Sequence, residues 1–360
     1  MQAKLLSIVI SAAVGSLLLA GNASAQSNVT IYGIADAGLE VINNASTAGN
    51  SNVSRISSGN LSGSRIGFRG TEELGGGLKA VFVLESGVAY DTGAYLQSNR
   101  AFGRQAYVGL QGSWGSLLLG RQNSLMLEWM SKYNTMDNAT WSSKVHDASF
   151  SDRMDNSVKY IGKFGAFDVS TYYSTGFDTV KAGAAVPAAG EVAGHSKVGR
   201  QMGGGVQYNG GDLRMAVVYD KKNGSSIAAE NDTDTHLTFG ARYKFGDAEV
   251  LGGYLQRKQE VVGKADARTN MSWIGMTYQL SEALQLSGSY YKTDVKDSDK
   301  DPSSIITMVK YSLSKRTDLY LINSYAMNKN GSNLGVNGFG TDIVAGKNQF
   351  GTMAGIRHTF

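Results

Sequence analysis

The stretch NQFGTMAGIRHTF, Asn348 to Phe360, alternates strictly. Phe350, Thr352, Ala354, Ile356, His358 and Phe360 fall on one face of an extended strand, and Gln349, Gly351, Met353, Gly355 and Arg357 on the other. A last strand with no successor leaves an unpaired edge, which is a template for aggregation. Closure of the sheet on itself removes that edge, so the stretch predicts a barrel.

The same alternation recurs upstream. Val29, Ile31, Gly33, Ala35, Ala37 and Leu39 alternate with Thr30, Tyr32, Ile34, Asp36 and Glu40. Ile66 and Phe68 alternate with Arg65, Gly67 and Arg69, and Phe167, Val169, Thr171 and Tyr173 with Asp168, Ser170 and Ser174. Leu213, Met215, Val217 and Tyr219 stand against Arg214 and Asp220, and Leu237, Phe239, Ala241, Tyr243 and Phe245 against His236, Arg242 and Lys244. One apolar face opposite a polar face, in strand after strand, is the pattern of a membrane-spanning antiparallel up-and-down β-barrel, and it leaves no packed inner core.

The connections have two lengths. Residues 73–76, 113–115, 163–165, 209–211, 246–247 and 314–316 make tight turns, whereas long polar stretches run near 43–61, 123–151, 177–198, 223–234, 259–268, 296–303 and 329–347. Outer-membrane barrels are built this way, with the short turns periplasmic. The segments between them number about sixteen, enough for an aqueous channel rather than a filled interior.

The beginning of the chain fits export. Lys4, a mostly apolar run from Leu5 to Ala20 and the small residues Ala23-Ser24-Ala25 predict a cleaved signal peptide over residues 1–25 and a barrel over 26–360. Absence of cysteine excludes thiol catalysis and thiolate-bound metal, and the four histidines, His146, His195, His236 and His358, show no metal-ligand spacing. No cofactor or metal is expected, and a net charge of +4 is too small to imply nucleic-acid binding. The 46 glycines, two prolines and 18 tyrosines suit continuous sheet with aromatic rims, to which Tyr173, Phe245, Tyr278, Tyr311 and Phe360 would contribute.

Particular stretches carry a resemblance. Ser64-Arg-Ile-Gly-Phe-Arg-Gly-Thr-Glu-Glu-Leu-Gly-Gly-Gly-Leu-Lys-Ala80 with Leu84-Glu-Ser-Gly, Phe102-Gly-Arg-Gln-Ala-Tyr-Val-Gly-Leu110, Leu119-Gly-Arg-Gln122, Val29 to Gly38 and Gly355 to Phe360 resemble the trimeric general porins of Gram-negative bacteria, their beta-proteobacterial and neisserial branch best. The resemblance implies a sixteen-stranded outer-membrane barrel, a homotrimer, and a third extracellular loop folded into the lumen as a constriction. It also implies lipopolysaccharide and membrane lipid as surroundings, recognition of Phe360 by the barrel-assembly machinery, and passive passage of ions and small hydrophilic solutes. By position the constriction loop is 123–151.

By the same resemblance Arg65, Arg104 and Arg153 match wall arginines of the constriction, with carboxylates of the loop, Glu128 and Asp137 first, facing them. Arg69 shares the face of Arg65. Alternation leaves Arg104 ambiguous and puts Arg121 outward, which suits a subunit interface better than lipid. More arginines than loop carboxylates would favour anions, although pairing of wall charges, Glu85 with an arginine for example, is the plainer reading of each residue alone. An adhesin or receptor barrel and an outer-membrane hydrolase are the alternatives. Asp297, Asp299 and Asp301 read as a solvated loop tip, and Gly203 to Gly205 as strand rather than phosphate cradle.

Overall fold

A computed structural model describes residues 28–48, 51–177 and 191–360. The segment expected to be a signal peptide lies outside the described residues. Nineteen strand segments are present among them: β1 (Asn28–Ile42), β2 (Val53–Ser58), β3 (Arg65–Gly75), β4 (Leu78–Gly87), β5 (Gln105–Gly112), β6 (Gly115–Asn123), β7 (Arg153–Phe164), β8 (Phe167–Gly176), β9 (Gln201–Gly210), β10 (Leu213–Asn223), β11 (Thr233–Phe245), β12 (Ala248–Glu260), β13 (Ala267–Gln279), β14 (Leu284–Val295), β15 (Ser303–Ser312), β16 (Thr317–Met327), the two-residue pair β17 (Leu334–Gly335) and β18 (Gly338–Phe339), and β19 (Gln349–Thr359).

Each long strand pairs antiparallel with its sequence neighbours, and the sheet closes where β1 meets β19. Along this seam Ile34 stands opposite Thr359, Gly38 opposite Gly355 and Ile42 opposite Gly351. Gly33 and Phe360 exchange both backbone hydrogen bonds, at 3.0 and 3.1 Å. A Cβ on Gly33 would lie 2.3 Å from the Phe360 ring, so glycine is what lets the terminal aromatic lie across the seam. The edge that the last thirteen residues would leave is thereby paired.

Strands β2 and β3 both pair with β1, β2 with its second half and β3 with its first, so the two segments share one place in the wall. The barrel therefore has sixteen strands. Between β2 and β3 the chain leaves the wall as a six-residue turn, Gly59 to Ser64. Two sequence expectations need correction here. The stretch 43–61 is not one loop, because Val53–Ser58 is strand, and residues 88–104 form a long connection that the sequence reading passed over. Serine and asparagine surround the first, and the second carries aromatic and apolar residues typical of sheet, so composition misled in both places.

The outer face is apolar and the ends of the strands are ringed by aromatics. Phe164, Phe167, Tyr243, Phe245, Tyr278, Tyr311 and Phe360 are exposed near the short-turn end, and Tyr173, Tyr219, Tyr254, Tyr290 and Tyr325 toward the long-loop end. These are the two girdles that bracket a membrane-facing band. No helix among the described residues is long and apolar enough to cross a membrane.

The interior holds more apolar packing than alternation implies. Met271 and Trp273 of β13, Tyr291 of β14, Ile306 and Met308 of β15, Ile322 of β16 and Met353 of β19 share a buried cluster with Leu125, Met126, Met130, Tyr133, Trp141 and Phe150 of the 124–152 loop. The expectation of a barrel without an inner core is corrected accordingly. The core lies between loop and wall rather than between two sheets.

Candidate pore constriction

The 124–152 loop, which follows the fifth wall strand, β6, opens with Ser124, whose hydroxyl accepts the Leu127 N–H at 3.3 Å and caps the short helix Leu125–Glu128. A 3₁₀ turn, Met130–Tyr133, continues it. From there the chain runs inside the barrel, past β9, β11, β13 and β14 to β19, and returns nearer the long-loop end.

Glycines on the inner wall make the bed for the outward limb. A Cβ on Gly205 would lie 3.1 Å from the Trp129 ring, on Gly240 2.7 Å from Tyr133, on Gly275 2.7 Å from Thr135 and on Gly351 2.5 Å from Trp141. Any larger residue at these four positions would push the loop off the wall.

Polar bonds fix the loop at intervals. Trp273 Nε1 donates to the Tyr133 carbonyl at 2.7 Å, and Arg242 Nη1 to the Lys132 carbonyl at 3.1 Å. Trp141 Nε1 donates to Asn337 Oδ1 at 3.0 Å, and Thr140 N–H to the Asn60 carbonyl at 2.7 Å. On the return limb the His146 ring lies 2.8 Å from both the Thr293 and Ser304 hydroxyls, and burial pushes its imidazole down to about 3 against the pull of Asp147. It is therefore a neutral tether. Asp147 meets His236 of β11 at 3.5 Å and Arg257 of β12 at 4.0 Å. Although burial would raise it, the neighbouring His236 and Arg257 hold its carboxyl well below the usual range.

The arginines expected at the constriction stand on the facing side, on β3 to β7. Arg104 precedes β5 and so escapes its alternation; its Nε donates to Glu85 Oε1 at 2.7 Å. Arg65 Nη1 lies 3.9 Å from Glu85 Oε2, and the Tyr32 hydroxyl donates to the same oxygen at 3.1 Å. Arg153 feels the charges of Arg104, Arg65 and Glu85, and its Nε has no hydrogen-bond partner among the described residues.

Sequence reasoning missed one member of this group, Lys144. The loop brings it in, its Nζ donating to the Asn138 carbonyl at 3.2 Å. Burial first, and then the Arg153 and Arg104 charges, push its ammonium down to about 7. A lysine amid loop serines carries no sequence signal of this placement. Three arginines thus gather around one carboxylate of the wall, Glu85, and Lys144 comes within the field of two of them, Arg153 and Arg104.

The other expected residues lie apart from this cluster. Arg69 is exposed on the inner wall nearer the short turns, stacked 5.2 Å from the Tyr32 ring. Glu128 is engaged by Lys159 of β7. Asp137 is exposed to the lumen, and the charges nearest it in effect are Arg242, Lys132, Arg357 and Lys310. Arg121 sits opposite Ala106 on the outer register, yet its guanidinium bonds Asp155 Oδ1 at 2.5 Å and the Gly103 carbonyl at 2.7 Å. Asp155 is also held by both terminal nitrogens of Arg100, at 2.9 and 3.0 Å. In the Asp297 to Asp301 loop, Asp301 accepts the Val295 N–H at 3.0 Å, and no cluster of metal-ligating residues occurs among the described residues.

A closed sixteen-stranded barrel narrowed by an inward loop and a basic cluster is the build of a porin, and comparison with known proteins decides the family. The profile of the Gram-negative porin family matches residues 10–332. The chain belongs to this family. It is 32% identical to outer membrane porin protein 32 of Delftia acidovorans over 97% of this chain and 98% of that one. An outer membrane porin of Bordetella pertussis is 30% identical, over 86% of this chain and 91% of its own. Among solved structures, the anion-selective porin from Comamonas acidovorans superposes with a TM-score of 0.78 at 28% identity, covering 93% of this chain and all of its own. This porin is accordingly an outer-membrane β-barrel of a Gram-negative bacterium and forms a channel for passive diffusion of small hydrophilic solutes.

Proposed function

We propose that the pore favours anions at its constriction. The observation that carries this is the placement of Arg65, Arg104 and Arg153 around the carboxylate Glu85, with Lys144 close enough to feel Arg153 and Arg104. Glu128 and Asp155 are engaged by Lys159 and by Arg100 and Arg121, and lumen-facing Asp137 lies in the field of Arg242, Lys132, Arg357 and Lys310. A ring of cations in a narrow aqueous passage lowers the energy of an anion and raises that of a cation. The anion selectivity named for the Comamonas porin supports the same reading.

Passage is passive and limited by size, because the loop narrows a fixed wall. The functional unit is a homotrimer inserted by the barrel-assembly machinery into a leaflet rich in lipopolysaccharide, with residues 1–25 removed on export. Swelling of proteoliposomes tests the charge preference: a monocarboxylate should enter faster than a zwitterion of similar size. Equal or slower entry of the carboxylate would count against it.

A further inference from the structure

We propose that Asp36 is a positioning residue for ion selectivity, a buried carboxylate that holds the 59–64 turn and, through it, two wall arginines and the tip of the inward loop. The inference rests on the anion-favouring reading of the constriction.

Asp36 lies on the inner face of β1 and is 1% exposed, so it meets no permeating ion. Its Oδ1 accepts the Asn60 N–H at 3.2 Å and the Tyr320 hydroxyl of β16 at 2.6 Å. Its Oδ2 accepts the Leu61 N–H at 3.0 Å and the Ser62 N–H at 2.7 Å. Three successive N–H groups converge on one carboxylate, as backbone nests do on bound anions, except that here the anion is part of the chain. Charge-assisted bonds of this kind are roughly twice as strong as neutral ones.

The main chain of Asp36 adds to the grip. Its carbonyl accepts the Gly59 N–H at 2.8 Å and the Ser64 hydroxyl at 2.9 Å, and its N–H donates to that hydroxyl oxygen at 3.1 Å. Gly59 has a φ of 75°, the left-handed region that suits glycine and lets the strand turn inward.

The other side of the turn carries the site. The Gly63 carbonyl accepts Arg65 Nε–H at 2.8 Å. A Cβ on Gly63 would stand 2.9 Å from Arg104 Nη1, so the second guanidinium lies directly on the turn. The Asn60 carbonyl accepts the Thr140 N–H at 2.7 Å and the Gly59 carbonyl its hydroxyl at 3.2 Å. The Ser62 hydroxyl accepts Arg357 Nη1–H at 2.9 Å. If the turn relaxes, Arg65, Arg104 and the loop tip lose the surface against which they are aligned.

Charge and position make opposite demands on a variant. If Asp36 acted through its own field, removing the charge would strengthen anion preference. If it acts by position, Asp36→Asn weakens that preference, because its amide turns N–H donors toward the backbone donors of the turn.

The test measures the chloride-to-potassium permeability ratio of single channels in planar bilayers. Asp36→Asn should lower it by about threefold, the size expected when a guanidinium recedes from about 4 to about 6 Å from the ion path and acts with opposite sign on the two ions. Tyr320→Phe removes one bond without changing charge and should lower it less, in the same direction. This variant decides the matter if Asp36→Asn does not assemble. An unchanged or increased ratio overturns the proposal, as does a loss of channel number with the ratio of each channel intact, the mark of a purely structural role. A wild-type channel that prefers cations would overturn the anion-favouring reading itself.

Discussion

Replacing Gly351 by leucine sets a side chain against the ring that anchors the inward loop. A Cβ there would stand 2.5 Å from Cη2, 2.8 Å from Cζ2 and 3.3 Å from Cζ3 of Trp141, so the ring must move before the rest of the leucine is placed. Overpacking a filled site costs about 1–3 kcal/mol. The adjacent Thr140 is held by two hydrogen bonds to the Asn60 and Gly59 carbonyls, worth about 0.5–1.5 kcal/mol each. Strain and tether are of the same size. The wall does not yield first, because β19 is bonded to β16 on one side and β1 on the other along its length. The loop tip therefore moves toward the lumen, and single-channel conductance should fall below wild type. Adding Trp141→Ala to the same chain makes room and should return conductance toward wild type, a coupling that a double-mutant cycle measures. Wild-type conductance in Gly351→Leu, or a double variant no better than the single one, would refute the seating of the loop on its glycine bed.

Arg153→Ala should lower the chloride-to-potassium permeability ratio about fourfold: a charge about 6 Å from an ion in water contributes about 0.7 kcal/mol, or about 0.4 after screening, with opposite sign for the two ions. Lys144 is charged below about 7 and neutral above it, so anion preference should decrease as pH rises from 6 to 8, and Lys144→Met should flatten that dependence; a wild-type ratio constant over this range would contradict the placement of Lys144. Arg121→Ala releases one of the groups that hold Asp155 at the outer register and should weaken the trimer, seen as earlier loss of the heat-resistant oligomer band; an unchanged band would remove Arg121 from the proposed interface.

The barrel was legible because burial on one face imposes period two on every strand. Its seam could be read from the matching patterns of Val29 to Leu39 and Gln349 to Phe360, and the pairing of Gly38 with Gly355 follows that pattern. Arg65 could be placed from alternation as well. Arg104 could not, since it lies just before β5 and bends in to Glu85. The loop carboxylates were harder still. Glu128, Asp137 and Asp147 lie within twenty residues of one another, but their partners come from β7, β11 and the far wall, and nothing local in the sequence states those contacts. The glycine bed was hidden for the opposite reason. Gly205, Gly240, Gly275 and Gly351 look like ordinary interruptions of strands until the rings that occupy their space are known. Asp36 was equally silent, being one polar residue among many on an inward face.

The most direct test of the anion-favouring constriction is the zero-current potential of the purified porin across a planar bilayer separating concentrated from dilute potassium chloride. The account predicts a potential of the sign set by chloride permeating faster than potassium. A potential of the opposite sign would contradict it.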